Sequence, residues 1–579
     1  MLCGCSKNID LISKNGGVAP ATDAITKTVA ELRNLEVAGN TRYFSSDYGG
    51  GTWVLDNLDD TSADNTGTVL VNKFEQRLKR ITAISLNSLW FGLKGDGSDE
   101  TAILQKAINA SAGHILLLPT GTFFTSQLTL VSNITITGNN TKLRMIQGAY
   151  DNTMIKLSGL IRVKISGLEI ALNGISGDIW DGTSVMQLQN CNNVGIDHCF
   201  IHDNTYVGIR LIGGNNNITI NNNTIENTDT GIHANNTNKN IKIISNIITN
   251  GTSEGITVYG YSPTNIPSSF LIDSNIIRDK LNSFGINIPY AKFGTITHNT
   301  IQNCLGGITL HDVVSVGSEG HYTTDMIIKN NYISNTNFGI IYVGDRTVVA
   351  NNTITAVQQD GINANNYDDA AIMSTGVAIS DNVVTGAGQA GGGRGGISVK
   401  NLLNSTVAGN SISNCGSAFA IRFNGDCNGL TLSNNSCPDG MLQTTNTVFA
   451  QNVSVTNNMF SNTYFPVAYP LNYKFMLVTQ GTKYTCDTTF NTAPDNNGLY
   501  SDINSFCVRT SYHLAGGSIN SLAPSWTGRT IILYSTNQVS LKQANNIHLK
   551  NGLDITVPAN KCITLTFDGS FWNEAKRDF

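Results

Sequence analysis

The sequence predicts an all-β solenoid followed by a separate β domain, and three observations carry that prediction. Gly followed by Ile recurs at Gly208, Gly231, Gly255, Gly285, Gly307, Gly339, Gly361 and Gly396, at intervals of 23, 24, 30, 22, 32, 22 and 35 residues. That is the period range of a coil, not of a globular domain. A second column follows: Asn223, Asn246, Asn275, Asn299, Asn331, Asn352, Asn382 and Asn410 each stand two residues before Ile or Val, and Asn435 and Asn458 continue it less regularly. Finally, only 13% of residues are charged, and Asn, Thr, Ser, Gly and β-branched residues take their place, a composition that favours strands and polar turns.

At 579 residues the chain has room for several domains, but a solenoid core grows along a line, so length does not set their number. The net charge of −5, with no basic tail or stripe, argues against nucleic acid as a partner. The eleven cysteines lack metal-ligand spacing and read as small buried residues; nothing local demands a bond between Cys486 and Cys507. No metal and no cofactor is expected. No run of 18 apolar residues exists, so no membrane-spanning helix is expected. Leu2-Cys3-Gly4-Cys5 is similar to a lipoprotein lipobox but lacks the apolar region before it, which favours a chance match over a truncated signal.

In chain order, residues 1–40 form an N-terminal attachment segment with one helix, Ala24 to Glu36, whose apolar positions are Ile25, Val29, Leu32 and Leu35. Residues 41–90, aromatic and Gly-rich and then strand-like, form a small β-rich linker domain. The coil takes residues 91–465. It opens with a helix capped by Ser98 or Asp99, with Ile103, Leu104, Ala107 and Ile108 on one face, because an open first rung would leave its apolar core in water. Residues 466–579 lose the period and read as a C-terminal β-sandwich-like domain.

The run GLKGDGSDETAILQKAIN at residues 92–109, followed by LLLPTGTF at 116–123, resembles the opening of the pectate-lyase-like right-handed β-helix superfamily. The segment YFSSDYGGGTWVLD before it resembles the corresponding part of phage tailspikes. The resemblance implies a right-handed parallel β-helix and a carbohydrate-active spike of polysaccharide-depolymerase type on a virion tail, outside the cell, with homotrimers common among such proteins. A secreted or lipid-anchored bacterial surface protein is the alternative source. No catalytic residue is carried over with the motif.

The laddered Asn residues are scaffold: Asn tolerates left-handed backbone, and stacked amides bond to one another. Most variation in rung length sits after the Gly-Ile strand, in turns at about Tyr259 to Pro267, Asp312 to Thr324 and Asn366 to Thr375, with further long turns before the Gly396 strand and before Ser184. Enlarged loops on one edge of a regular scaffold are where binding and catalysis tend to be found. If the Ile of each phrase points inward, the next residue points out, giving a strip of Arg210, His233, Thr257, Asn287, Thr309, Ile341, Asn363, Ser398 and Arg422. Two places on, the same face carries Asn235, Tyr259, His311, Asn365 and Lys400.

Asp229 and Glu254 lie just before successive strands, near His233 and Tyr259 in sequence. Rungs ~4.8 Å apart bring such acids toward the separation of a glycosidase pair, roughly 5 Å for retention and 6.5 to 9.5 Å for inversion. His311, Asp312, Glu319 and His321, with Asp345 and Arg346 a rung later, form a second acid and base cluster; Asp279 and Asp360 are weaker candidates. Trp180 and Tyr259 offer flat faces to sugar rings, while Arg210, Asn287 and Arg422 offer polar or cationic contacts. Hydrolysis by the Glu254 and Asp229 carboxyls, with His233, His311 and Asp312 assisting, is the leading expectation. β-Elimination on a uronate polymer by a basic side chain is the second, and a non-catalytic glycan-binding fibre or adhesin the third.

Overall fold

The computed structural model describes residues 24–39, 41–146, 153–172, 184–203, 206–261, 264–311, 323–364, 373–391, 394–416, 419–423, 425–444, 450–451, 453–464, 477–478, 483–484, 489–492, 509–514, 516–522, 528 and 530–579. The chain divides into two compact units, residues 1–251 and 252–579. Both contain turns of a right-handed parallel β-helix.

The first unit begins with a five-stranded sheet over residues 25–80. The helix expected over Ala24 to Glu36 is shorter, Val29–Asn34, because Ile25–Lys27 pairs in parallel with Tyr43–Ser45. Thr28 ends the strand and starts the helix: its hydroxyl accepts from the Glu31 amide at 3.1 Å while the Glu31 carboxylate accepts from the Thr28 amide at 2.7 Å. Val29, Leu32, Val37, Tyr43, Trp53, Leu70 and Leu78 close its core. Arg80, 4% exposed, lies between the faces of Trp53 and Trp90 at 4.2 and 4.8 Å, and so ties the sheet to the one-turn helix Ser88–Phe91. Burial draws its pKa down to about 9.

The capping helix forms over Thr101–Ala110, but its N-cap is Glu100 without a side-chain cap bond, not Ser98 or Asp99; the Asp99 carboxylate accepts from the Thr101 amide at 2.9 Å in the turn before it. Leu104, Ala107 and Ile108 are buried as expected, and the helix shares an apolar interior with Leu116, Leu128 and Ile136. Parallel strands then stack rung on rung. Thr153–Ser158, Ser184–Gln189, Val207–Ile212 and Thr230–Asn235 form one column, with Ile155, Met186, Ile209 and Ile232 in register and buried.

In the second unit the same column runs through Ile256–Tyr259, Phe284–Pro289, Gly306–His311, Phe338–Tyr342, Ile362–Ala364, Ile397–Val399 and Phe419–Phe423. Ile256, Ile286, Ile308, Ile340, Ile362, Ile397 and Ile421 stack inside it, each at most 1% exposed and each contributing about 1.5–3 kcal/mol on burial. A glycine precedes each of them except Ile421, which follows Ala420, and it relieves crowding and does not serve a special backbone angle. A Cβ on Gly307 would stand 2.5 Å from the Gly339 carbonyl oxygen of the next rung.

The Asn column is a buried amide ladder. In the second unit Asn275, Asn299, Asn331, Asn352, Asn382, Asn410 and Asn435 each donate to the side-chain oxygen of the next Asn at 2.8–3.0 Å, ending on Asn458. In the first unit Asn223 donates to Asn246 at 3.0 Å, and the Cys199 amide, one rung earlier, donates to Asn223. One expectation needs correcting. The left-handed residue is the one before each laddered Asn, such as Asn222, Ser274, His298, Asn330 and Asn351, so the ladder residue is free to turn its amide inward.

Parallel pairing continues to Lys483–Tyr484. Beyond it, a six-stranded and a three-stranded sheet share one core, with Leu533, Ile563, Leu565 and Trp572 from one facing Val539, Leu541 and Val557 from the other. This is the sandwich-like C-terminal domain. Among the described cysteines, Cys191, Cys199, Cys304, Cys427 and Cys437 are buried and free; Cys486 and Cys507 lie outside the described residues.

Candidate functional site

The alternation holds as expected, with Ile inward and its successor outward, but the outward strip is not an exposed surface. Arg210 is 8% exposed, Thr257 5%, Thr309 1%, Ile341 3%, Asn363 2% and Ser398 1%; His233, Asn287 and Arg422 are half-buried. Two acids of the second unit lie over it: Glu254, from the turn before Ile256–Tyr259, accepts from Asn287 of the next rung, and Asp360 accepts from Asn363 of the strand that follows it. The strip is therefore a floor. Among the described residues no hydrogen-bond partner reaches the hydroxyls of Thr257, Thr309 and Ser398 or the side-chain oxygen of Asn363.

In the first unit the floor is cationic. Lys156, Gln187, Arg210 and His233 follow one another in register. Asp229 is half-buried at the turn before the His233 strand. Glu254 belongs to the second unit, so each acid of the expected pair is placed within its own unit.

In the second unit three candidates from three rungs join in one chain. The Asn287 side-chain nitrogen lies 3.2 Å from Glu254 Oε1, and the Asn287 side-chain oxygen lies 3.1 Å from His311 Nε2. An ionised carboxylate only accepts, so the amide must donate to Glu254, and its oxygen then accepts from His311 Nε2–H. That fixes the neutral histidine as the tautomer protonated on Nε2. Ser253 also donates to Glu254. Tyr259 follows Thr257 on the same face and meets Tyr261 edge-on with ring centres 4.7 Å apart; burial pushes the Tyr259 phenol up from its ordinary pKa.

Further along the same floor is a cluster the sequence only half disclosed. Asp360, 2% exposed, accepts from the Asn363 amide and from the Gly395 backbone, both at 2.8 Å, and pairs with Arg394 at 3.3 Å. Burial pushes its carboxyl above the ordinary range despite these partners. Arg422, in register with Ser398, lies in the field of both Asp360 and Arg394. Arg394 was missed. Its signal is a single charged residue inside the glycine run Gly391–Gly396.

Other candidates bond within turns of the coil. Arg346 pairs with Asp325 at 2.6 and 2.8 Å, Asp345 accepts from the Thr375 amide, and Asp279 accepts from Asn303, all at turns between strands. Among the described residues none of these bonds reaches His311. Trp180, Asp312, Glu319 and His321 lie outside the described residues, as does Asn365. No group of His, Cys, Asp and Glu suited to a metal ion occurs among the described residues, and none of their helices is long and apolar enough to cross a membrane.

The fold is a right-handed parallel β-helix. Residues 86–309 match the family described as rhamnogalacturonase A/epimerase, pectate lyase-like, and residues 25–83 match the phage tail protein small four-stranded β-sheet domain. Similar solved structures include the hyperthermoactive exopolygalacturonase of Thermotoga maritima, at 15% identity over 56% of this chain and 91% of that one, with a TM-score of 0.42. Another is the catalytic unit of the GH87 α-1,3-glucanase of Streptomyces thermodiastaticus, at 15% identity over 71% and 73% of the two chains, TM-score 0.47. A third is full-length tailspike protein 2 of an Escherichia coli O157:H7 bacteriophage, at 12% identity over 96% and 71%, TM-score 0.46. Among curated proteins none matches.

Proposed function

We propose that this protein is a polysaccharide depolymerase of a phage tail that hydrolyses a bacterial surface or extracellular glycan, with Glu254 as its principal carboxyl group. The observation that carries the reading is the Glu254, Asn287 and His311 chain on a walled strand face. A carboxyl group held by an amide and backed by an imidazole is suited to giving a proton to a leaving oxygen or taking one from water. Hydrolysis needs a second carboxyl group; Asp229 and Asp312 are the residues that the sequence offers for it. Tyr259, Trp180 and Arg210 are the proposed sugar contacts, with His233 as a helper. The phage-tail match at residues 25–83 supports attachment to a virion and an extracellular place of action. Homotrimeric assembly is part of the proposal, and the solution mass of the full chain checks it.

Elimination is the second reading, favoured by Arg394 and Arg422, since cations neutralise the uronate carboxyl that this chemistry requires. The test is incubation of the full chain with capsule, lipopolysaccharide and uronate-polymer panels, scoring new reducing ends and unsaturated sugars. Reducing ends without unsaturation, abolished by Glu254→Gln, are expected. Unsaturated products would replace hydrolysis with elimination. Binding without any shortening would make the protein an adhesin.

A further inference from the structure

Within the first unit, the N-terminal sheet and the coil are joined by an exposed run of chain and by one buried side chain. Arg80 closes Arg77–Arg80, the last strand of the sheet in chain order, and lies in register with Trp53 of the neighbouring strand. The chain then crosses residues 81–84, all of them exposed. It enters the coil at Ser85–Asn87, which pairs in parallel with Ile115, Leu116 and Leu117 and leads directly into the one-turn helix Ser88–Phe91. An exposed connection between two packed bodies is the usual form of a hinge.

The packing on either side opposes a hinge. From the sheet, the Arg80 guanidinium is held by the Gly67 carbonyl, 2.6 Å from Nε, by the Gly50 carbonyl at Nη1 and by the face of Trp53; from the coil it is held by the face of Trp90. Among the described residues no carboxylate bonds to it. A buried guanidinium without an ionic partner is tolerated where carbonyl oxygens and aromatic faces replace its water, and one of those two faces belongs to the coil. Neither indole N–H has an acceptor among the described residues, so the stack, and not an indole hydrogen bond, makes the join. Shape favours the same contact. A Cβ on Gly67 would enter the Phe91 ring, and one on Gly49 would stand 2.8 Å from Leu89 Cβ, so the sheet backbone lies directly on the one-turn helix.

We infer that Arg80 is the pin of a rigid joint between the N-terminal sheet and the first rungs of the coil, and that residues 81–84 are a strap held closed by it and not a hinge. The joint fixes the direction in which those rungs leave the sheet, so a support that grips the sheet also orients them. It requires the planar guanidinium: a lysine ammonium carries the charge but cannot stack on two rings while bonding two carbonyls. The joint is independent of the glycan-cleaving reading, and cutting or failing to cut a polymer leaves it unaffected.

The test reads the joint directly in the full-length protein. Dyes are attached through non-natural amino acids at Leu58, exposed in a turn of the N-terminal domain, and at Lys242, exposed on the coil strand Lys239–Ile244, with one labelled copy per assembly. Single-molecule energy transfer then gives the spread of their separation. Expected is one narrow distribution for the parent and a broad one for Arg80→Lys, Gly67→Ala and Trp90→Leu. Trypsin gives a second readout: the bond after residue 80 is guarded in the parent and should be cut about tenfold or more faster in all three variants, each of which keeps a basic residue there, as the open form becomes populated. Hydrogen exchange over Thr52–Leu55 and over Val207–Ile212 reports whether either body unfolds. Arg80→Lys leaves the coil untouched and therefore decides. Broadened transfer in that variant with both strands still protected supports the pin. A broad distribution in the parent, a narrow one in Arg80→Lys, or broadening that comes with lost protection in either strand overturns it.

Discussion

The Asn287 amide lies 3.2 Å from the Glu254 carboxylate, and the two residues come from successive rungs of the coil. Because the opposite side of that amide accepts from His311, rotating Asn287 would disturb an acid and a base together. Asn287 is on this view a positioning residue as much as a sugar contact.

Replacing Asn287 with Ala is therefore expected to lower kcat by about 10²-fold, the scale on which small misplacements of reacting groups act. The fold should hold, because Asn287 is half-buried and lies outside the ladder. The discriminating measurement is the pH profile of kcat: with the amide gone, its acid and base limbs should both move. An unchanged profile with a raised KM would leave Asn287 as a binding residue only.

Stability has a different address. Asn352, fully buried, donates to the Asn382 side chain at 2.9 Å and to the Ile328 and Ala350 carbonyls at 3.0 and 3.1 Å, and accepts from the Asn331 amide and side chain at 3.0 and 2.9 Å. Asn352→Ala strands several of these groups at once, and each buried orphan costs about 1–3 kcal/mol. We expect a loss of about 3 kcal/mol or more in thermal or denaturant unfolding. A loss below about 1 kcal/mol would mean that water fills the ladder.

The coil was legible because its causes repeat. Gly307 and Asn352 each solve a steric or hydrogen-bonding problem that recurs every rung, so the solution recurs in the sequence. The site was less legible because its residues do not repeat. Glu254, Asn287 and His311 could be named from their place on the strand face, but their joining through one amide depends on how a turn residue folds back across the next rung. The Asp360 and Arg394 pair spans 34 residues of sequence, and a lone arginine among glycines carries no periodic mark. The short N-terminal helix departs from expectation for a local reason: β-branched Ile25 and Thr26 pair as a strand, and Thr28 starts the helix after them.

Tyr342 is a place where the chain tolerates a cost. It is fully buried in the inward column in register with Ala364, and its hydroxyl finds no hydrogen-bond partner among the described residues. Burial pushes the phenol pKa well above its ordinary value. Tyr342→Phe keeps the ring and removes the orphan, so melting should be unchanged or raised, by up to about 1 kcal/mol. A marked loss of stability would show that the hydroxyl is bonded in solution.

Asp360 gives the last prediction a sign. Burial raises its carboxyl pKa above the ordinary value near 3.8, although Arg394 and two amide donors oppose the shift. A raised carboxyl binds its proton more tightly in the folded than in the unfolded chain. Between the unfolded pKa and the folded one, the folded state therefore carries more protons, and its stability falls as pH rises through that window. Asp360→Asn removes the titration. The melting temperature of the variant minus that of the parent should thus decline as the pH is lowered from neutral toward about 3.8, because only the parent gains from protonation. A difference that instead grows on acidification would mean that Arg394 dominates and that Asp360 titrates below its ordinary value.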